Sequence, residues 1–304
     1  MTRTLVAASA GLAAVAAAAL WGTTGTSQAL GPAGTDPVSV GTLRIVVGAI
    51  TLVLLALATA RRGAVPPPAR PARVPAPVVV LLGGGCVASY QACFFEGVAR
   101  SGVAVGTVIA LGTAPLATGL LGLLLSERPT GRWAVATGAA VAGVVLLVAG
   151  SGADAPVDAV GIAAAVGAGL SYAGYTVAAR TLLLRGARGT LVMAGLFVTG
   201  ALLLLPTLVG ADLTWLTEPT GLLMVLWLGV VATGLSYVLF QHGLARLSAG
   251  TVATLSLAEP VTATLLGVLV LDERLSVASA TGIVVVLASL LLIAAPRRRP
   301  ALPG

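Results

Sequence analysis

The sequence predicts an all-α polytopic membrane protein: ten transmembrane helices in two inverted five-helix repeats, with both termini cytoplasmic. Three observations predict it. The first is composition: of 304 residues, 58% are hydrophobic and only 9% charged, with a mean hydropathy of +1.05. Soluble domains are about 45–50% apolar and about 25% charged. A chain this apolar cannot hide its surface from water, so the bilayer is its solvent. The second is that the apolar runs are continuous and about 20 residues long, enough for a helix to cross about 30 Å of hydrocarbon. Barrel strands would instead alternate apolar and polar over about ten residues. The third is that the second half of the chain repeats the first.

The spans follow in order. Span one, 4–30, begins "MTRTLVAASAGLAAVAAAALWG" and imitates a signal peptide, with an "SQA" suited to cleavage. Its run is long enough to cross and the repeat requires it, so it is read as a span. Spans two and three, 38–60 and 78–98, flank "RRGAVPPPARPARVPAP" (61–77), whose proline density predicts an extended, solvated linker. Spans four and five, 102–126 and 133–150, complete a first domain, 1–150. The second domain, 151–304, carries spans at 158–182, 190–210, 220–240, 250–271 and 277–295. No separate soluble domain remains.

Charge gives the orientation. All 17 basic residues are arginine, and 14 of them lie on one side of alternate loops. They are Arg3, Arg61, Arg62, Arg70, Arg73, Arg128, Arg132, Arg180, Arg185, Arg188, Arg246, Arg297, Arg298 and Arg299. Only Arg44, Arg100 and Arg274 fall on the other. The positive-inside rule then puts both termini in the cytoplasm. The net charge of +7 is accounted for by orientation, and no nucleic-acid partner is implied.

The repeat can be read directly. "GLAAVAAAAL" (11–20) returns as "GIAAAVGAGL" (161–170), and "FFEGVAR" (94–100) as "FQHGLAR" (240–246). These pair Gly97 with Gly243 and Arg100 with Arg246. "LGTAPLATGLLGLLLSER" (111–128) aligns with "SLAEPVTATLLGVLVLDER" (256–274), pairing Pro115 with Pro260 and Gly122 with Gly267. "ATG" at 136–138 returns at 280–282. Five spans per half is an odd number, so the halves enter the membrane from opposite sides. Inverted repeats are a recurrent architecture of secondary transporters, with the substrate site near the midplane between halves.

These residues resemble the EamA-type transporters of the drug/metabolite transporter superfamily. "WGTT" (21–24) followed by Pro37 and Arg44 resembles that family's first two spans. "SYAGYTVAAR" (171–180) resembles its sixth, and "AP…LLG…SER" and "EP…LLG…DER" resemble the ends of its fourth and ninth. The resemblance covers nearly the whole chain and implies export of amino acids, related metabolites or drugs. It does not choose among them.

Candidate site residues are the polar and aromatic side chains that interrupt spans. Glu259 lies nine residues into span nine, about 13 Å deep at 1.5 Å per residue. An acid there costs about 2.5–3.5 kcal/mol on insertion scales and needs a partner or a wet cavity. Two readings of Glu259 stand: it binds a proton or a substrate amine, or it is structural, satisfied by a buried hydroxyl or by Arg44. Pro260 removes the usual helical partner of the Ser256 carbonyl. With Pro115 it marks corresponding interruptions in the two halves, a pointer to a binding site; the rival reading is two packing kinks. Trp21, Ser89, Tyr90, Gln91, Ser171, Tyr172, Tyr175, Trp227, Ser236 and Tyr237 are candidates for cavity walls, against an alternative role as interfacial anchors. Glu96 and His242 occupy equivalent places near opposite faces, as a gating pair or as ordinary span ends. Arg44, about 10 Å into span two, is read first as structural. Glu127-Arg128 and Glu273-Arg274 end spans four and nine, where their charges are expected to reach water.

Other classes find little support. There is no H-E-x-x-H, Walker loop or G-x-S-x-G, so no enzyme is expected. One histidine and two span-buried cysteines, Cys86 and Cys93, suggest neither a metal site nor a disulfide. No cofactor is expected. The implied partners are a small-molecule substrate, the lipid bilayer and protons, and two fused halves are compatible with a functional monomer. A passive facilitator remains the alternative, since it need not use a titrating group.

Overall fold

The computed structural model describes residues 2–60, 74–150 and 158–295. Residues 61–73 of the proline-rich linker and Arg297–Arg299 lie outside them. Eleven α-helices follow one another: α1 (Thr2–Ala29), α2 (Pro37–Ala60), α3 (Ala76–Leu121), α4 (Gly131–Ala149), α5 (Ala159–Leu184), α6 (Gly189–Leu204), α7 (Pro219–Leu226), α8 (Ser236–Leu244), α9 (Ala249–Leu255), α10 (Ala258–Val270) and α11 (Val277–Ala294). Among the described residues, nine helical stretches are long and apolar enough to cross a membrane. The protein is therefore an all-α, multi-pass membrane protein.

One of the nine, Ala76–Leu125, spans 50 residues. It is broken at Gly102, whose φ of +76° and ψ of 159° are not helical and suit only glycine. A Cβ added to Gly106 would lie 3.1 Å from the backbone of Gly97 and Val98. A straight helix holds residues nine apart about 13 Å from each other. The chain therefore reverses at Gly102, and α3 is two packed arms, 76–101 and 103–121.

Pairing among helices follows a pattern. α1 packs on α8 and α10, while α5 packs on both arms of α3; α2 packs on α6, and α4 on α11. Glycines permit the closest approaches. A Cβ on Gly97 would meet the backbone nitrogen of Ala165 at 2.9 Å, and one on Gly243 would meet the Ala10 oxygen at 3.0 Å and the Ala14 methyl at 3.1 Å. The glycines paired in the sequence thus make matching contacts. α2 and α6 are tied at both ends, Thr42 to Thr207 at 2.8 Å and Thr59 to Thr190 at 3.3 Å between hydroxyl oxygens.

Cross-contacts also sort the connections onto two faces. Arg185 donates to the Val74 carbonyl at 2.8 Å and Arg132 to that of Leu292 at 2.7 Å, on the face that carries most arginines. On the opposite face Ser101 donates to the Asp158 carbonyl at 3.4 Å, and Gly31 lies against Met224. Helix starts are capped by side-chain oxygens of Thr130, Asp158, Ser248 and Ser276, which satisfy otherwise orphaned N–H groups. Outward surfaces carry side chains such as Leu12, Leu124, Leu269 and Leu291, as a lipid-facing protein requires.

Candidate functional site

Two local distortions shape the centre of the bundle. Span nine is interrupted: α9 stops at Leu255 and α10 begins at Ala258. Pro260 sits in the first turn of α10, where its missing N–H is tolerated. The Ser256 carbonyl does not stay free as the sequence suggested, because Glu259 N–H donates to it at 3.0 Å. Span four behaves differently. Pro115 lies inside the second arm of α3, and Gly102 is that helix's only non-helical position. The expected paired interruption is therefore present in one half only. The second distortion is π-helical, Trp227–Leu235, between α7 and α8; such segments often mark functional sites. There Thr233 donates to the Leu228 carbonyl at 2.8 Å, and Ser236 to that of Ala232 at 2.7 Å.

Both distortions border a cavity of about 330 Å³. Trp21, Arg44, Tyr90, Gln91, Pro115, Tyr172, Tyr175, Tyr237 and Glu259 all line it. All four tyrosines of the chain are among them. Tyr175 and Tyr237 share a hydrogen bond of 2.9 Å between hydroxyls, and Tyr172 meets Ser256 Oγ at 2.9 Å. Since Ser256 Oγ donates to the Val252 carbonyl at 3.1 Å, the Tyr172 hydroxyl is the donor. Trp21 Nε1 donates to Ser236 Oγ at 2.8 Å, and its ring lies 5.1 Å from that of Tyr237. Tyr172 and Tyr175 meet edge to face at 5.1 Å. These contacts make a rigid aromatic wall.

The charges in this wall are incompletely paired. Arg44 Nη2 donates to Gln91 Oε1 at 3.1 Å, and Gln91 Nε2 to the Gly41 carbonyl at 3.2 Å. Arg44 Nε is buried with no hydrogen-bond partner. Glu259 and Arg44 form no ion pair among the described residues. A carboxyl group and a guanidinium thus face one apolar, aromatic space without a direct ion pair between them.

The remaining candidates lie elsewhere. Pro260 is buried beside the cavity. Ser171 donates to Ser89 Oγ at 3.0 Å between α5 and α3. Trp227 is 44% exposed and donates to Thr23 Oγ1 at 2.9 Å. Glu96 is ion-paired to Arg100 one turn along, and the His242 carbonyl accepts from Arg246 at 3.1 Å. Both lie near a span end, away from the cavity, and of the two only the Glu96 side chain is engaged by its arginine. Sequence reasoning did not single out Gln28, Thr24, Phe94, Phe95, Thr107 or Thr233, all of which line it. Thr24 lies within "WGTT", Phe94 and Phe95 within "FFEGVAR", and Thr233 three residues before Ser236; the other two carried no signal.

Glu127 departs from its expected role at the water. Its side chain is only 15% exposed and pairs with Arg180, 11% exposed, at 2.8 Å. Glu273 and Arg274 are exposed, as expected.

Comparison with known sequences identifies the family. The sequence model of the EamA-like transporter family matches residues 8–149 and again 159–295. The chain belongs to this family. It is 41% identical over 286 residues to the uncharacterized transporter YwfM of Bacillus subtilis, covering 93% of each chain. It is 29% identical over 262 residues to an uncharacterized protein of Pseudomonas aeruginosa, covering 86% of this chain and 85% of that one. A protein of known crystal structure shares the fold, with a TM-score of 0.77 at 23% identity over 93% of this chain and 97% of that one. As an EamA-family member it is a small-molecule membrane transporter and not an enzyme.

Proposed function

We propose that this transporter exports a small zwitterionic solute, an amino acid or related metabolite, from the cytoplasm by alternating access coupled to protons. The observation that carries the reading is the cavity, where an unpaired carboxylate and an incompletely paired guanidinium share a wall of four tyrosines and a tryptophan. Glu259 takes the substrate ammonium or a proton, Arg44 and Gln91 take the carboxylate, and the rings take the side chain. The volume of about 330 Å³ is near the lower end of ligand pockets, about 300–1,000 Å³, which favours a small solute.

The architecture in this reading is two inverted five-helix repeats, 1–150 and 151–304, with both termini cytoplasmic. Several observations support it. Counting the two arms of α3 as separate crossings gives ten. The family model aligns once with each half. Each helix pairing has its repeat-equivalent, α1 with α8 and α10 matching α5 with the two arms of α3. The arginine imbalance supports the sidedness.

A passive facilitator is the alternative, and Glu259 separates the two. Purified protein in liposomes with an imposed pH gradient is assayed with labelled amino acids and a few aromatic cations, comparing wild type with Glu259→Gln. Gradient-driven uptake lost in the variant, with substrate exchange retained, is the expected result. Equal, gradient-independent flux in both proteins would favour the facilitator and make Glu259 a structural acid.

A further inference from the structure

We infer that Glu127 and Arg180 form a latch that holds the arginine-rich face shut, and that Glu273 is its half-built counterpart on the other face. The inference rests on the inverted-repeat, alternating-access reading above.

The latch joins the two halves of the chain at one point. Arg180, near the end of α5, gives Nε to Glu127 Oε1 at 2.8 Å and Nη1 to the Leu244 carbonyl at 2.7 Å. Glu127, just beyond α3, accepts the Ala249 N–H on Oε2 at 2.8 Å. Both carboxylate oxygens and two guanidinium nitrogens are therefore used, fastening the ends of α3, α5 and α8 to the start of α9. Beside them the Trp133 indole fills the gap between Gly119 and Gly250, where a Cβ on Gly250 would lie 3.1 Å from Nε1. The central cavity extends the other way, to Gln28, Phe95 and Val103 at the arginine-poor ends of α1 and of the α3 arms. One face is fastened and the other is open.

Glu273 is presented by a turn like that of Glu127 but one residue longer. The N–H of Glu127 donates to the Gly122 carbonyl at 3.0 Å, and that of Glu273 to the Gly267 carbonyl at 3.1 Å. Each glutamate follows a left-handed residue, Ser126 with φ of +62° and Asp272 with φ of +55°, the two non-glycine residues of positive φ among those described. Yet Glu273 is exposed and forms no ion pair among the described residues. Its expected arginine is missing. The offset of 150 residues that aligns span one with span six puts Leu30 where Arg180 stands, and Leu30 is exposed. Trp133 likewise corresponds to Val277 at the offset of 144.

Inverted-repeat transporters change access by rocking one half against the other, and in this proposal each half then takes up the arrangement of its counterpart. When the arginine-poor face closes, Glu273 can reach the N–H groups that begin the second arm of α3, near Val103, but no guanidinium completes the hub. A nearly buried Arg–carboxylate pair with both carboxylate oxygens engaged is a strong, geometrically specific tie. The cycle is therefore lopsided, and the protein rests open on the arginine-poor side.

The test places a single reporter cysteine at Ala253, deep in the cavity, in the full chain with Cys86→Ser and Cys93→Ser. A membrane-impermeant maleimide is applied to spheroplasts and to inside-out vesicles. The parent reporter should be labelled from outside and protected from inside. Arg180→Ala should raise labelling from inside at least tenfold and lower it from outside. The charge-reversed pair Glu127→Arg with Arg180→Glu should restore the parent pattern. Leu30→Arg, which leaves the latch intact and supplies the missing partner, should lower labelling from outside at least threefold. It decides the matter alone if Arg180→Ala does not fold. Unchanged sidedness in both Arg180→Ala and Leu30→Arg would overturn the latch and leave the transport reading standing. A parent reporter reachable only from inside would overturn the sidedness on which both rest.

Discussion

Spans four and nine carry one sequence pattern and fold differently. Both carry a proline at the matching place, Pro115 and Pro260, and both run on to a Leu-Leu-Gly. In span four the helix passes through Pro115 without a break. In span nine it stops at Leu255 and restarts at Ala258, with Ser256 and Leu257 between. The residue before the proline is Ala114 in one half and Glu259 in the other, and both line the same cavity. Proline alone therefore does not open a membrane helix. The broken span carries the acid, where a distorted backbone at membrane depth can border a wet space. In the proposed function, the difference between the two spans, more than their likeness, is what assigns substrate and proton to span nine.

The sharpest way to break this comparison is to neutralise the acid. Glu259→Gln keeps shape and hydrogen-bonding capacity, so the protein should fold and exchange substrate while gradient-driven transport falls to the level of empty liposomes. The paired prolines sharpen the same contrast. Pro115→Ala returns an N–H to a continuous helix and should raise thermal stability, by up to about 3 kcal/mol, with transport unchanged. Pro260→Ala should let α9 and α10 join, leaving stability near wild type while transport falls severalfold. Melting curves in detergent beside liposome uptake check both; equal behaviour of the two variants would remove the distinction between the spans.

The repeat glycines test the likeness instead. Gly97→Ala and Gly243→Ala each force a methyl into a helix crossing, at a cost of about 1–3 kcal/mol. Gly97 should cost slightly more, because its methyl would meet three Ala165 atoms at 2.9–3.1 Å, whereas that of Gly243 would meet only the Ala10 oxygen at 3.0 Å and the Ala14 Cβ at 3.1 Å that closely. Chemical unfolding in mixed micelles orders them. A neutral result at either position would mean that the two crossings are not equivalent.

Much of the fold could be read in the sequence because lipid imposes so few solutions. Gly102 closes the gap between spans three and four where the sequence reading put it, and each span end falls within a few residues of its expected place, though the interruptions inside spans eight and nine are not foreseen at their positions. The convergence of Tyr90, Tyr172, Tyr175 and Tyr237 was also legible, since polar rings in apolar spans need a shared environment. What could not be read was direction. Lipid tails are as apolar as leucine, so periodicity does not separate a lipid-facing position from a cavity-facing one. Trp227 and Tyr237, ten residues apart in one span, looked alike, yet the first lies 44% exposed and the second lines the cavity. Arg180 and Glu127 are 53 residues apart, and no local spacing announces their meeting.

The smallest expected effect concerns the tyrosine hydroxyls. Tyr175→Phe removes one hydrogen bond and leaves the ring contacts in place, including Tyr172 at 5.1 Å. Its partner Tyr237 borders the cavity, so the freed hydroxyl can turn to water, and the loss should be about 1 kcal/mol or less. Tyr172→Phe should cost less still, because Ser256 keeps its bond to the Val252 carbonyl. The measurement that decides their role is KM beside thermal stability. If the hydroxyls only brace the wall, stability drops slightly and KM stays put. If they touch substrate, KM rises for zwitterions carrying a polar side chain and not for purely aliphatic ones, and the wall is then part of the binding site.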